Sequence, residues 1–339
     1  AIEHSCHFFG ALSIIDLSLK GHQLMPYYND KYWIVFNGEI YNYIEIRDEL
    51  KNKGHLFNTN SDTEVILASY MEWGVECLQK FNGMWAFALM DIEKKQLFCS
   101  RDRLGIKPFY YHYNGLEFGF GSEIKQLLEI FPSLREANHN ILFDYLALGA
   151  YGNETEETFF KQINKLTAGS YFIVDLQHSL QLKNQTKYWD LPNRLNNCDK
   201  KTEISQNIHD LLLDSIRLHM RSDVPLGIGL SGGLDSSGIT ILANKLIPET
   251  EHPIKLFTIG SQDPLTDETH YAKLIANIVQ SEHFIKVPNG SDLANDLSKF
   301  IWHNDEPLIT GSMFGGYQLY KLAKQSGTTV LLDGQGADE

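Results

Sequence analysis

No part of this sequence limits the available folds as strongly as residues 224–240, Val-Pro-Leu-Gly-Ile-Gly-Leu-Ser-Gly-Gly-Leu-Asp-Ser-Ser-Gly-Ile-Thr. Residues 226–230 form a short apolar run broken by glycine, which suits a buried parallel strand. Ser231-Gly232-Gly233 is too flexible to extend that strand and reads as a tight turn. Ile239, Ile241, Leu242 and Leu246 then recur at helical spacing, so a helix follows. Strand, glycine turn and helix together aim backbone N–H groups and a helix N-terminus at an anion. Glycines 232 and 233 let the backbone approach phosphate oxygens, and Ser231, Ser236 and Ser237 add hydroxyls. Asp235 is a carboxylate placed to hold a metal against those oxygens. A bare Ser-Gly-Gly is more simply a turn with a serine N-cap. Asp-Ser-Ser directly behind a buried strand favours phosphate.

The chain around this loop alternates regularly. A helix is expected over 204–219, then strands at 254–259, 283–287 and 328–332 with helices over 268–279, 291–302 and 314–326. Such alternation predicts an α/β domain with a doubly wound parallel sheet and its ligand at the carboxyl ends of the strands. Upstream the pattern is mostly β. Segments 33–36, 85–90, 96–101, 109–112, 116–120 and 170–175 are rich in aromatic and β-branched residues, with helices over 44–53, 63–73 and 143–148. Consecutive strands flanked by helices imply an α+β layering of stacked sheets. Residues 187–202 turn polar, with Pro192, Asn196-Asn197 and Lys200-Lys201. The predicted organisation is a domain over 1–190, a linker over 191–202 and a domain over 203–339.

Composition narrows the function classes. At 43% hydrophobic and 12% aromatic, the 339 residues supply ample material for packed cores. A net charge of −14 argues against unspecific binding to nucleic acid or anionic membrane. No apolar run approaches a membrane span and no signal peptide is visible. Cys6, Cys77, Cys99 and Cys198 show neither a Cys-x-x-Cys pair nor metal-ligand spacing, which suits a reducing cytoplasm.

Two stretches of the first domain bear on chemistry. Asn37-Gly38-Glu39 places an amide, a glycine and a carboxylate in a row. An amide beside a glycine N–H makes a two-donor oxyanion hole, whereas Asn-Gly alone is a hairpin-turn signal. In Asn60-Ser61-Asp62-Thr63-Glu64, Ser61 and Glu64 form a capping box in which Asp62 merely suits a helix N-terminus. The functional alternative makes Asp62 the anion for an α-ammonium group.

Leu12-Ser13-Ile14-Ile15-Asp16-Leu17, Gly21-His22-Gln23, Asn37-Gly38-Glu39-Ile40-Tyr41-Asn42, Ser61-Asp62-Thr63-Glu64, Phe81-Asn82-Gly83-Met84-Trp85-Ala86-Phe87-Ala88, Arg101-Asp102-Arg103-Leu104-Gly105-Ile106-Lys107-Pro108 and Ser122-Glu123-Ile124-Lys125 occur in the order seen in glutamine amidotransferase domains with an N-terminal cysteine nucleophile. The loop at Ser231 resembles the pyrophosphate loop of the ATP pyrophosphatases. Over nearly its whole length the chain resembles the glutamine-hydrolysing asparagine synthetases. That resemblance implies an oxyanion hole at Asn37 and Gly38, a glutamine pocket of Ile14, Ile15, Asn37, Gly38, Glu39 and Asp62, and an ATP site of Leu230, Ser231, Gly232, Gly233, Asp235, Ser236, Ile259, Asp333 and Gly334. It further implies Mg2+ at Asp235 and Asp338, a catalytic position at Gln335 where many members carry glutamate, and glutamine, aspartate and ATP as substrates. Aspartate would be adenylated, and ammonia would travel through an internal tunnel to displace AMP. Homodimerisation is common in such a family.

The chain also departs from the family pattern. Residue 1 is Ala1 where the nucleophilic cysteine belongs, and Ala11 stands where an arginine clamps the glutamine carboxylate. Cys6 lies mid-chain without the free α-amine that would serve as base. The expectation is a fragment shortened at both ends, without glutaminase activity of its own and poorly soluble. A β-lactam or peptide-cyclising synthetase is the alternative within the fold, and a non-catalytic ATP-binding remnant is the alternative outside enzymology.

Overall fold

The computed structural model describes residues 14–16, 18, 21–149, 155–177, 180–191, 201–247, 254–308 and 310–336. The chain separates into two compact units, Ala1–Arg194 and Leu195–Glu339. Most of the expected linker, together with Ala1, Cys6, Ala11, Cys198 and Asp338, lies outside the described residues.

The first unit contains β1 (Met25–Tyr27), β2 (Tyr32–Ile40), α1 (Tyr43–Asn52), α2 (Asp62–Trp73), β3 (Gly83–Asp91), β4 (Gln96–Arg101), β5 (Tyr110–Tyr113), β6 (Phe118–Gly121), α3 (Ile124–Ile130), α4 (His139–Leu148), β7 (Asn164–Lys165), β8 (Ser170–Asp175), β9 (Gln181–Leu182) and β10 (Thr186–Lys187). A large antiparallel sheet runs β1-β2-β3-β4-β8-β10 with β9 on β8, and a small one runs β6-β5-β7. The alternation within β3 explains how they stack. Trp85, Phe87 and Leu89 pack with Ile46 and Leu50 of α1 and Val65 to Ala68 of α2. Ala86 and Ala88 take the opposite face, where they are small enough for Phe109, Tyr111, Phe118, Phe120 and Phe172 to pack ring on ring. The result is helices, large sheet and small sheet in layers.

Local chemistry corrects several boundaries. The expected 116–120 strand starts only at Phe118, because the Asn114 side-chain oxygen accepts from the amides of Leu116 and Glu117 and holds them in a turn. α4 begins at His139 because Asn138 caps it, accepting from the amides of Asn140 and Ile141. β1 and α3 were not expected. α3 is short and starts on a capping box between Glu123 and Gln126.

The second unit contains α5 (Lys201–His219), β11 (Leu226–Gly229), α6 (Leu234–Leu246), β12 (Lys255–Ile259), α7 (Thr269–Val279), β13 (His283–Lys286), α8 (Gly290–Asn304), α9 (Ser312–Gln325) and β14 (Val330–Leu332). Its four strands are parallel in the order β13-β12-β11-β14. Three successive strands grow in one direction; α8 and α9 then carry the chain to the other side of β11. The order reverses at β11, so the crevice beyond its carboxyl end is the topological switch point. Ile228 and Leu230 bury against Ile216 of α5, Ala243 of α6 and Ala272 and Ala276 of α7, while α9 packs on β12 and β13. Among the described residues, no helix is long and apolar enough to cross a membrane.

Candidate functional site

In the first unit, β2 meets the N-terminus of α2. A cavity of about 70 Å³ there is lined by Ile14, Ile15, Gly21, His22, Gln23, Phe36, Gly38, Glu39, Ser61, Asp62 and Thr63. Ser61 caps α2 by accepting from the Thr63 amide. The expected capping box with Glu64 does not form. The Glu64 carboxylate instead accepts from the Asn58 and Thr59 amides and the Thr59 hydroxyl, fastening the preceding loop. Asp62 accepts from the Ile40 amide at 2.9 Å, which ties the end of β2 to the start of α2. Gln23 accepts from the Phe36 amide at 2.6 Å, a positioning role that its motif alone did not suggest.

Asn37-Gly38 is not a turn. It lies within β2, paired with Ala86 and Trp85 of β3. The Asn37 amide donates to the Ser122 hydroxyl at 3.0 Å, and Asn37 is not among the residues lining the cavity.

Two carboxylates dominate this cavity. Glu39 is 3% exposed, and its Oε1 has no hydrogen-bond partner. Burial foremost, then the charge of Asp62, pushes the Glu39 carboxyl up to about 8, with Lys107 opposing. Burial likewise raises Asp62 to about 6 against its bonds from backbone amides. Lys107, which sequence reasoning did not single out, is set by its neighbours: Arg101 donates to its carbonyl at 2.7 Å and Asp102 accepts from its amide at 2.9 Å. Such a site is short of positive charge and suits an ammonium group.

A pH effect follows from Glu39. Unfolded, it loses its proton near 4.5; folded, only near 8. Between those values the unfolded chain binds fewer protons, so stability falls as pH rises from about 4.5 to about 8. Glu39→Gln should therefore stabilise the ligand-free chain at pH 8 by at least about 1.4 kcal/mol, the worth of one pKa unit. Urea melts at pH 5 and pH 8 check this, and a variant weaker than wild type at pH 8 would contradict it.

The second unit's cavity, about 1350 Å³, lies at the switch point. Leu230, Ser231, Gly233, Asp235, Ser236, Ile259, Asp333, Gly334 and Gln335 all line it, as do Lys299, His303, Lys321 and Lys324 of α8 and α9. Gly232 does not line it. Its φ is 93°, and a Cβ there would lie 2.7 Å from the Ala272 amide nitrogen, so only glycine fits between the loop and α7. The loop's hydroxyls bond within the loop: Ser236 Oγ accepts from the Ser231 amide, and Ser231 Oγ accepts from the Gly233 amide. Ser237 Oγ is buried without a partner and is outside the lining. Gly334 sits so close to the start of α6 that a Cβ on it would be 3.3 Å from the Asp235 Cβ. This brings the carboxylates of Asp235 and Asp333 to one cavity, hard oxygen donors of the kind Mg2+ prefers. The remaining expected metal ligand, Asp338, lies outside the described residues.

Of the cysteines, Cys77 and Cys99 are buried and free, and burial drives both thiols far up. Neither lines the small cavity.

Residues 6–189 match the glutamine amidotransferase domain model, and residues 207–339 match the asparagine synthase model. Asparagine synthetase [glutamine-hydrolyzing] 1 of Bacillus subtilis is 37% identical over 99% of this chain and 51% of its own length. Asparagine synthetase [glutamine-hydrolyzing] 2 of the same organism is 33% identical over 98% of this chain and 45% of its own length. Amidase chyE of Penicillium rubens is 29% identical over 97% of this chain and 49% of its own length. The chain thus spans about half the length of these curated relatives.

Proposed function

Because the chain belongs to the glutamine amidotransferase family and carries an asparagine synthase domain behind it, we propose that it forms part of an ATP-dependent ligase that makes asparagine from aspartate with glutamine as ammonia donor. The observation that carries this reading is the buried, unpartnered Glu39 oxygen beside Asp62 in a cavity of about 70 Å³. Two carboxylates there would receive the α-ammonium of glutamine, and Ile14 and Ile15 would flank its stem. Amide hydrolysis needs a nucleophile and an oxyanion hole. Gly38 borders the cavity and would supply one donor of that hole.

In the second unit, Ser231, Gly233 and Ser236, around the start of α6, suit ATP phosphates, and Asp235 would hold Mg2+ against them. Ile259, on the cavity wall, would meet the adenine. An aspartate carboxylate oxygen would attack the α-phosphorus and release pyrophosphate. Ammonia would then attack the acyl carbon and release AMP. Gln335, on the cavity wall, can donate to the acyl oxygen but cannot take a proton as a carboxylate would.

Two measurements test this. L-glutamine should bind by calorimetry and lose at least tenfold in affinity in Asp62→Ala, about 1.4 kcal/mol. ATP–pyrophosphate exchange in the full-length protein should require aspartate and vanish in Asp235→Ala. Exchange driven by another carboxylate would replace aspartate with that substrate class. No exchange with any carboxylate would reduce the second unit to a binding module.

A further inference from the structure

The route from β11 into the phosphate loop is held by a hydrogen-bond chain from outside the loop. Leu230 donates its amide to Phe257 of β12 at 2.8 Å, as the sheet ladder requires. Its carbonyl accepts from the Thr258 hydroxyl. Thr258 is 2% exposed, and its hydroxyl also lies 2.7 Å from Nε2 of His283, the first residue of β13. A hydroxyl carries one hydrogen, and a carbonyl can only accept. The Thr258 hydrogen therefore lies on the bond to Leu230, which obliges His283 to donate through Nε2–H. Burial, with Lys273 nearby, also holds His283 below the usual histidine range, consistent with a neutral ring.

The consequence reaches the ligand site through peptide planarity. The Leu230 carbonyl and the Ser231 N–H belong to one rigid plane and point in opposite directions. Pinning the carbonyl therefore aims the Ser231 amide, the first donor of the loop, which points at Ser236 Oγ 3.2 Å away. We infer that Thr258 and His283 are positioning residues that hold the Ser231 amide on Ser236 Oγ and so set the loop in the shape that receives a nucleotide phosphate. This rests on the reading of that loop as the ATP phosphate site. Neither residue lines the cavity, so neither is a contact residue for the ligand.

The test is MgATP affinity by calorimetry, with thermal melting as a control on folding. Thr258→Val and His283→Leu should each weaken binding about tenfold. Thr258→Ser keeps the hydroxyl and His283→Gln keeps a donor near Nε2, so both should bind within about twofold of wild type. The double variant Thr258→Val/His283→Leu should be no weaker than Thr258→Val alone, because the two act through one bond. The 15N spectrum of the imidazole should show the hydrogen on Nε2. Normal binding by His283→Leu, or equal weakening by His283→Gln, overturns the inference, as does a hydrogen found on Nδ1 alone. If wild type itself fails to bind MgATP, the ATP reading of the loop is at fault, and the imidazole spectrum still decides whether the bond chain exists.

Discussion

Gly38→Ala should lower the stability of the first unit by about 3–5 kcal/mol, combining overpacking with backbone strain. A Cβ at this position would lie 2.1 Å from the Met84 carbonyl oxygen and 2.7 Å from the Trp85 Cα. Those contacts are backbone, so no side chain can swing away to relieve them. The φ of 153° adds a conformation that L-residues seldom adopt. β2 and β3 form the pair around which both cores are built, since Trp85 and Phe87 serve one face and Ala86 the other. Separating them by even a few tenths of an ångström disturbs both. Glu39 follows directly on Gly38, so the variant should also disorganise the small cavity. Urea denaturation read by tryptophan fluorescence would measure the loss. A midpoint equal to wild type would mean that the β2–β3 spacing at Gly38 is far looser than described.

Asp102→Ala should be comparably severe, at about 3–5 kcal/mol, since each buried amide left unpaired costs about 1–3 kcal/mol. The Asp102 carboxylate is 1% exposed and accepts from the amides of Trp85, Leu104, Ile106 and Lys107. It folds the loop after β4 around itself and fastens that loop to β3. Arg101 completes the arrangement by donating to the carbonyls of Gly105, Lys107 and Leu166. Losing the acceptor strands several amides at once, and charged acceptors are each worth about 1.5–3 kcal/mol, though not additively. Asp102→Asn should recover part of the loss, because one amide oxygen can still accept while its NH2 faces donors. Glutamine affinity should fall in both variants, since the loop carries Lys107 toward Glu39. A wild-type melting midpoint in Asp102→Ala would refute this account.

Much of the architecture was legible because burial imposes periodicity. The strands over Gln96–Arg101 and Ser170–Asp175 match their expected bounds, being short runs of apolar and aromatic residues that end at polar or charged ones. The parallel sense of the second unit's strands followed from alternation of strand and helix, whereas their order did not. What stayed illegible depended on partners distant in sequence. Asn37-Gly38 carries a turn signal, yet the close approach of Met84 keeps it in a strand. Ser61 and Glu64 have capping-box spacing, yet the loop at Asn58 and Thr59 takes the carboxylate first. β1 has only three residues, including Pro26, and exists because β2 offers an edge. The site followed the same rule. Glu39 and Asp62 entered one pocket only through the family resemblance, and the roles of Gln23, Lys107, Thr258 and His283 depend on tertiary contacts that no local pattern announces.

β11 lies in the interior of its sheet, with β12 on one side and β14 on the other. A ribosome delivers these neighbours at very different times. β12 emerges after a single helix, but β14 comes only after α7, β13, α8 and α9. From the emergence of β11 until that of β14, the backbone groups of Leu226–Gly229 face an empty position on one flank. Asp333 and Gly334 arrive later still, directly behind β14. The crevice beyond β11 thus cannot form before Asp333 and Gly334 have emerged, and nascent chains halted before Val330 carry an open, glycine-rich apolar edge of the kind that chaperones cover and aggregates recruit.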